Sequence, residues 1–256
     1  MLGCGSSGGV PLIGGADGRG DWGACDPGEP RNRRRRSSIL VEGSDGKRLL
    51  VDTGPDLREQ LIAAGVRGLE AVLLTHPHAD HIMGLDELRQ VNRLVGAAIP
   101  LYADAATLAA VTSRFEYAFR PMVRGFPRPA LLPHEVRAGE TVDIGGLPVQ
   151  LFRVDHRVMD VLGLRIGGFG YSTDVWAMPE DGFAALEGVE LWVVGCFSRA
   201  PHPVHAHLEQ VLAWRERLGR PRTVLTHMGT DLDWAWMAAN LPPGVEAAHD
   251  GLVLAA

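Results

Sequence analysis

Apolar residues along this chain fall into short runs that end on polar or ionisable residues, and the runs switch between a two-residue and a helical period. Ile39–Glu42 and Arg48–Val51, linked by the turn residues Ser44-Asp45-Gly46-Lys47, predict a β-hairpin closed by Asp52-Thr53-Gly54. Pro55 suits the first turn of a helix running to residue 64, with Gly65 as its carboxyl cap. The run 71–74 predicts a strand. Beyond it, Leu85, Leu88, Val91 and Val95 recur at three- and four-residue intervals, so residues 82–95 predict one amphipathic helix. Residues 99–102 predict a short strand, and Asp104 caps a helix through Val111. The Phe-, Arg- and Pro-rich stretch 115–130 predicts a surface segment. Apolar runs at 149–154, 162–166, 169–173, 191–194 and 223–226 predict five further strands, while Leu208, Val211, Leu212 and Arg215 are helically spaced. Strands interleaved with helices indicate an α/β class of fold.

Between the strand at 71–74 and the helix after it lies Thr75-His76-Pro77-His78-Ala79-Asp80-His81, with three histidines and one carboxylate in six residues. Imidazole nitrogens and carboxylate oxygens suit Zn²⁺, Mn²⁺ or Fe. With no thiolate among them, an open catalytic site fits better than a closed structural one. His76 and His78 stand two apart at a strand end and can face one ion, whereas Asp80 and His81 fall where a helix begins and can face a second.

This heptapeptide resembles the His-x-His-x-Asp-His signature of the metallo-β-lactamase superfamily. The resemblance implies an α/β (α+β) fold, a four-layer αββα sandwich whose two mixed sheets pack face to face with ligand-bearing loops on one edge. It also implies three more ligands, a His, an Asp and a His, each ending a later strand. The strands at 149–154, 169–173 and 223–226 run into His156, Asp174 and His227 respectively. On this resemblance His76, His78 and His156 hold one metal, Asp80, His81 and His227 hold the other, and Asp174 bridges. The implied cofactors are two divalent transition-metal ions, and this donor set suits Zn and Mn equally. Asp52 is then expected to support a metal-binding histidine, not simply to cap a helix.

Three more features resemble the branch containing the cyclic phosphodiesterase of phosphonate degradation, the carbon-phosphorus lyase pathway. They are the Gly-Ser loop at residues 3–9, the segment Asn32-Arg33-Arg34-Arg35-Arg36, and Thr226-His227-Met228. In that branch a histidine preceding a leucine assists the phosphodiester, which singles out His207 before Leu208. A ring near a helix start is disfavoured as imidazolium and is expected to be a neutral donor. Asp80 and His207 are therefore the candidate catalytic residues. The implied enzyme is a phosphoric diester hydrolase that uses a hydroxide between two metals on a small, cyclic phosphodiester. A nuclease of the tRNA-maturing type, or a thioesterase or lactonase, is the alternative. A metal-binding protein without catalysis is the least favoured reading, because it would be expected to have lost a ligand and none is lost here. The Gly-Ser loop reads either as an anion contact or as a plain tight turn. The arginines read as a solvated edge, or as phosphate recognition by one or two side chains.

Composition narrows these readings further. A chain of 256 residues, 46% hydrophobic, can bury one large core, and a single domain over residues 1–256 is expected. A net charge of -6 argues against a surface that grips nucleic acid throughout, and leaves a small phosphodiester as the expected partner and a homodimer open. No run of 18 apolar residues occurs, and the amino terminus lacks a basic, apolar leader, so a cytoplasmic protein without a membrane partner is expected. Cys4, Cys25 and Cys196 are odd in number and far apart, which predicts reduced thiols. Cys25 stands without the clustered cysteines that an added structural zinc would need, so no such zinc is expected.

Overall fold

The computed structural model describes residues 1–121 and 128–256. Part of the predicted surface segment at 115–130 therefore lies outside the described residues. In chain order the elements are β1 (Ile39–Glu42), β2 (Arg48–Val51), α1 (Leu57–Ala63), β3 (Ala71–Leu73), α2 (Ala79–Ile82), α3 (Leu88–Val95), β4 (Ile99–Ala103) and α4 (Ala105–Arg114). They continue with β5 (Leu131–Glu135), β6 (Thr141–Ile144), β7 (Leu147–Asp155), β8 (Asp160–Ile166), β9 (Phe169–Ser172), α5 (Glu180–Ala185), β10 (Leu191–Gly195), α6 (Leu208–Arg217), β11 (Arg222–Thr226), α7 (Trp234–Asn240) and β12 (Val245–Ala247).

Two mixed sheets result, of order β1-β2-β3-β4-β5 and β12-β11-β10-β9-β8-β7-β6. Alternation along the strands assigns each side chain to a layer. Leu49, Val51, Ala71 and Leu73 join Val149, Leu151 and Val194 in one core cluster. Their neighbours Leu50, Val72 and Leu74 turn the other way, onto Leu57 and Leu61 of α1 and Leu88 and Val91 of α3. Strands covered on both faces read as unbroken apolar runs, which is why 71–74 shows no alternation in sequence. Each fully buried leucine contributes roughly 1.5–3 kcal/mol by leaving water. The layers are those of a four-layer αββα sandwich, and no described helix is long and apolar enough to cross a membrane.

Strand direction decides where the ligand candidates go. β2 to β5 are parallel in the first sheet. In the second, β9 to β12 are parallel, and β7 shares their direction because it is antiparallel to β8, which is antiparallel to β9. The carboxyl ends of β7, β9 and β11 therefore share one edge. The Leu162 amide of β8 donates to the Thr75 carbonyl after β3 at 3.0 Å, tying the two sheets together there.

The helix expected over 82–95 is instead three pieces: α2, a 3₁₀ turn at Leu85–Glu87, and α3. The break has a packing cause. The Gly84 amide donates to the Thr53 carbonyl at 2.8 Å. A Cβ on Gly84 would also lie 2.0 Å from the Gly54 carbonyl oxygen, so the chain is pressed against the end of β2. Thr53 in turn donates its amide to the His81 carbonyl at 2.7 Å, holding α2 across the strand end.

Candidate metal centre

Each ligand candidate follows a strand. His76 and His78 sit on the link after β3, Asp80 and His81 ride on α2, and His156, Asp174 and His227 lie just beyond β7, β9 and β11. Asp52, Asp174 and His227 have φ of 65°, 49° and 53°, a left-handed conformation that non-glycine residues seldom adopt. Such backbone persists where surrounding structure enforces it, and here it turns side chains into a common space at three strand ends.

Two groups of donors form. Donor atoms of His76, His78, His156 and Asp174 lie within 4.8 Å of one another, as do those of Asp80, His81, Asp174 and His227. Asp174 belongs to both. Its Oδ1 is 3.9 Å from His76 Nε2, 4.0 Å from His156 Nε2 and 3.2 Å from His227 Nε2, while its Oδ2 is 3.1 Å from His81 Nε2. Asp80 Oδ2 lies 3.2 Å from His81 Nε2 and 3.5 Å from His227 Nε2. His76 Nε2 and His78 Nδ1 are 3.0 Å apart.

The opposite ring nitrogens of His76, His81 and His156 are anchored. The Asp52 carboxylate takes the His81 Nδ1 proton at 2.7 Å and accepts from the Thr75 amide at 2.8 Å and the Thr75 hydroxyl at 2.9 Å. Thr75 Oγ1 also lies 3.0 Å from His76 Nδ1, and His156 Nδ1 donates to the Val204 carbonyl at 3.0 Å. Bonds of this kind fix the tautomer and leave Nε2 as the coordinating atom. The Thr173 hydroxyl donates to Asp174 Oδ2 at 2.7 Å.

Charge in the cluster points the same way. Burial drives His76 well below the usual imidazole range, and His81 adds to that. His156 is lowered by burial as well. Burial would also lower His81, but the Asp174 and Asp52 carboxylates pull it well above its ordinary value. Burial works against ionised Asp174 and Asp80, yet the neighbouring His227 and His81 hold both well below the carboxylate range. Ionised carboxylates buried among ring nitrogens are a donor set suited to cations.

The orphaned atoms test that fit. His81 Nε2 and both ring nitrogens of His227 are buried without a hydrogen-bond partner among the described residues. Carboxylate oxygens do stand 3.1–3.5 Å from the Nε2 atoms, in hydrogen-bond range but not in hydrogen-bond direction. Donors that crowd a shared space without bonding one another fit metal ions held between them. All seven are nitrogen or oxygen donors, a set that accepts zinc or manganese.

The structure does not bring His207 to this cluster. His207 is the half-buried N-cap of α6, and its ring has no ring contact, hydrogen bond or ion pair with any of the seven. It is the His205 ring, two positions earlier, that packs against the cluster. The His205 ring centroid lies 4.8 Å from that of His156 and 4.9 Å from that of His227. Burial, with His227 close by, lowers its pKa to about 3, so it is a neutral ring with one N–H at neutral pH. Its place depends on contacts remote in sequence: the Val204 carbonyl bonds His156, and the Ala206 amide donates to the Val175 carbonyl at 2.6 Å. Only the density of histidines at 202–207 hinted at it.

The Gly-Ser loop is chiefly a packing device. Amides of Gly3, Gly5, Ser6 and Gly9 donate to backbone carbonyls, and that of Cys4 donates to Asp250 Oδ1. A Cβ on Gly3 would lie 2.1 Å from the Arg36 carbonyl, so glycine is needed for the loop to lie against the arginine run.

The chain belongs to the β-lactamase superfamily, whose domain model matches residues 47–228. Within that superfamily its likeness is to the PhnP family. A crystal structure described as a new diphosphatase of that family superposes with a TM-score of 0.87 and 34% identity, covering 98% of this chain and 94% of that one. A protein of Porphyromonas gingivalis named octanoyltransferase is 32% identical over 256 residues, 98% of this chain and 50% of its own length. Ribonuclease Z of Bradyrhizobium diazoefficiens is 33% identical over 141 residues, 52% of this chain and 44% of its own. The chain thus spans about half or less of the length of these two relatives.

Proposed function

We propose that this chain is a phosphodiesterase dependent on two divalent metals and acting on a small phosphodiester. The observation that carries the reading is the sharing of Asp174 by two four-donor groups on one sheet edge, with the neutral His205 ring against both sides of it. His76, His78 and His156 would hold one ion, Asp80, His81 and His227 the other, and Asp174 both. Zinc or manganese there would supply Lewis acidity, polarising phosphoryl oxygens and lowering the pKa of water.

The protein's own groups do the rest. Asp52 orients His81, Thr75 steadies His76, and the Val204 carbonyl sets the tautomer of His156. The neutral His205 ring would offer its N–H as a hydrogen bond to the phosphoryl group or to the departing oxygen, stabilising the charge that develops there. The diphosphatase likeness supports phosphoanhydride or phosphodiester substrates over acyl ones. The ribonuclease Z likeness supports a second reading, cleavage of an RNA phosphodiester.

A panel of metal-loaded assays separates these readings. It holds a bis-aryl phosphate, a cyclic nucleotide, an aryl phosphomonoester, a precursor tRNA, a thioester and a lactone. Small diesters should be turned over fastest. Faster cleavage of the thioester or lactone than of every diester would overturn the proposal, and preference for the tRNA would shift it to the nuclease.

A further inference from the structure

We propose that Arg36 binds a second anionic group of the substrate, a phosphoryl group beyond the one being cleaved. The inference rests on the phosphodiesterase reading above and names a recognition residue for it.

The arginine run divides by fate. Arg31 pairs with Glu29 at 2.6 Å and lies over the Trp234 ring. The Arg34 guanidinium is buried and spent on the carbonyls of Gly229 and Leu232 and on Asn32 Oδ1. Arg33 is exposed over Trp22, and Arg35 faces Asp250 at 3.8 Å. Arg36 shares a buried, unpartnered Nε with Arg34 and an ion pair with a carboxylate with Arg35, and what sets it apart is how its chain is pinned and where it lies. Its backbone is fixed on both sides, the amide donating to Asp56 Oδ2 at 2.8 Å and the carbonyl accepting from Gln60 Nε2 at 2.8 Å. Its guanidinium is not satisfied. Nε is buried without a hydrogen bond, 3.4 Å from Asp56 Oδ2 but misdirected, and the terminal nitrogens make no hydrogen bond among the described residues.

Its position gives that unspent fork a use. A Cβ on Gly54 would meet the Asp80 carbonyl oxygen at 2.2 Å and Arg36 Cβ at 3.6 Å, so the stem of Arg36 lies across a bare glycine from the backbone of α2, which carries Asp80. A Cβ on Gly9 would come within 3.5 Å of Arg36 Nη1. At the exposed tip of that loop the Ser7 and Gly8 amides have no partner among the described residues. A planar fork with free N–H groups matches phosphate oxygens two at a time, which a lysine ammonium does not.

The test compares kcat/KM of metal-loaded protein on bis(4-nitrophenyl) phosphate, with one phosphoryl group, and on a dinucleoside diphosphate, with two. Arg36→Met should lose on the order of 10- to 100-fold more on the two-phosphate substrate, mainly in KM, the scale of a lost hydrogen-bonded charge. Arg36→Lys should recover part of it, and Arg33→Met should keep the wild-type ratio. Equal losses on both substrates, or none, overturn the assignment of Arg36. Calorimetric binding of inorganic pyrophosphate to metal-loaded wild type and Arg36→Met gives a readout independent of turnover. Weaker binding in the variant supports the proposal and unchanged binding contradicts it. If wild type binds pyrophosphate through Arg36 but cleaves neither substrate, the phosphodiesterase reading fails while the anion site stands.

Discussion

His205 and His207 lie two apart in sequence, yet only His205 faces the cluster. His205→Ala should keep its metals and lose diester turnover by roughly a hundredfold or more, the scale of one hydrogen-bond donor aimed at charge developing in the transition state. His207→Ala should leave turnover per folded molecule near wild type. A substrate with a very acidic leaving group should rescue His205→Ala if the ring's N–H stabilises the leaving oxygen, and equal losses on good and poor leaving groups would assign it to phosphoryl binding. A larger loss in His207→Ala than in His205→Ala would reverse the assignment. Asp52 makes a second residue-level claim, since its two oxygens serve His81 and Thr75 together. Asp52→Asn keeps one acceptor oxygen and should weaken metal binding about 10- to 100-fold, read by competition with a chelator. Unchanged affinity would mean that His81 needs no support. The ligand candidates were legible in sequence because the heptapeptide 75–81 resembles a known signature and His156, Asp174 and His227 each follow a strand-like run. His205 was not, because its direction is set by bonds to His156 and Val175, far away in the chain.

Among the elements, the hairpin β1–β2 and the strands before His156, Asp174 and His227 follow the sequence pattern closely, since period and turn residues specify them locally. The expected helix 82–95 does not. Its apolar spacing is helical throughout, and only the approach of Gly84 to Gly54 breaks it, a contact that no local pattern contains. Gly84→Ala should therefore destabilise the fold by about 1–3 kcal/mol, the usual cost of overpacking, as measured by urea denaturation. It should weaken metal binding as well, because α2 carries Asp80 and His81. A variant as stable as wild type would show that the close approach is dispensable. Strands β5, β6 and β12 are not legible for a simpler reason: β5 buries only Leu131, β6 only Ile144 and β12 only Val245, so none of the three shows a two-sided apolar run.

For the whole molecule, strand direction gathers four separate stretches of chain at one edge, where buried carboxylates and imidazoles form two groups of donors that could hold metal ions. Stripping metal with a chelator should lower Tm, and adding zinc or manganese back should restore it, since ions that bind the folded state stabilise it by mass action. A Tm indifferent to chelation would indicate that the cluster balances its own charge. The most direct measurement is elemental analysis of protein expressed with ample metal and freed of loosely bound ions. About two transition-metal ions per chain are predicted from two groups of donors joined by Asp174, with Asp174→Ala losing occupancy at both. One ion per chain or fewer in the wild-type protein would contradict the two-metal centre.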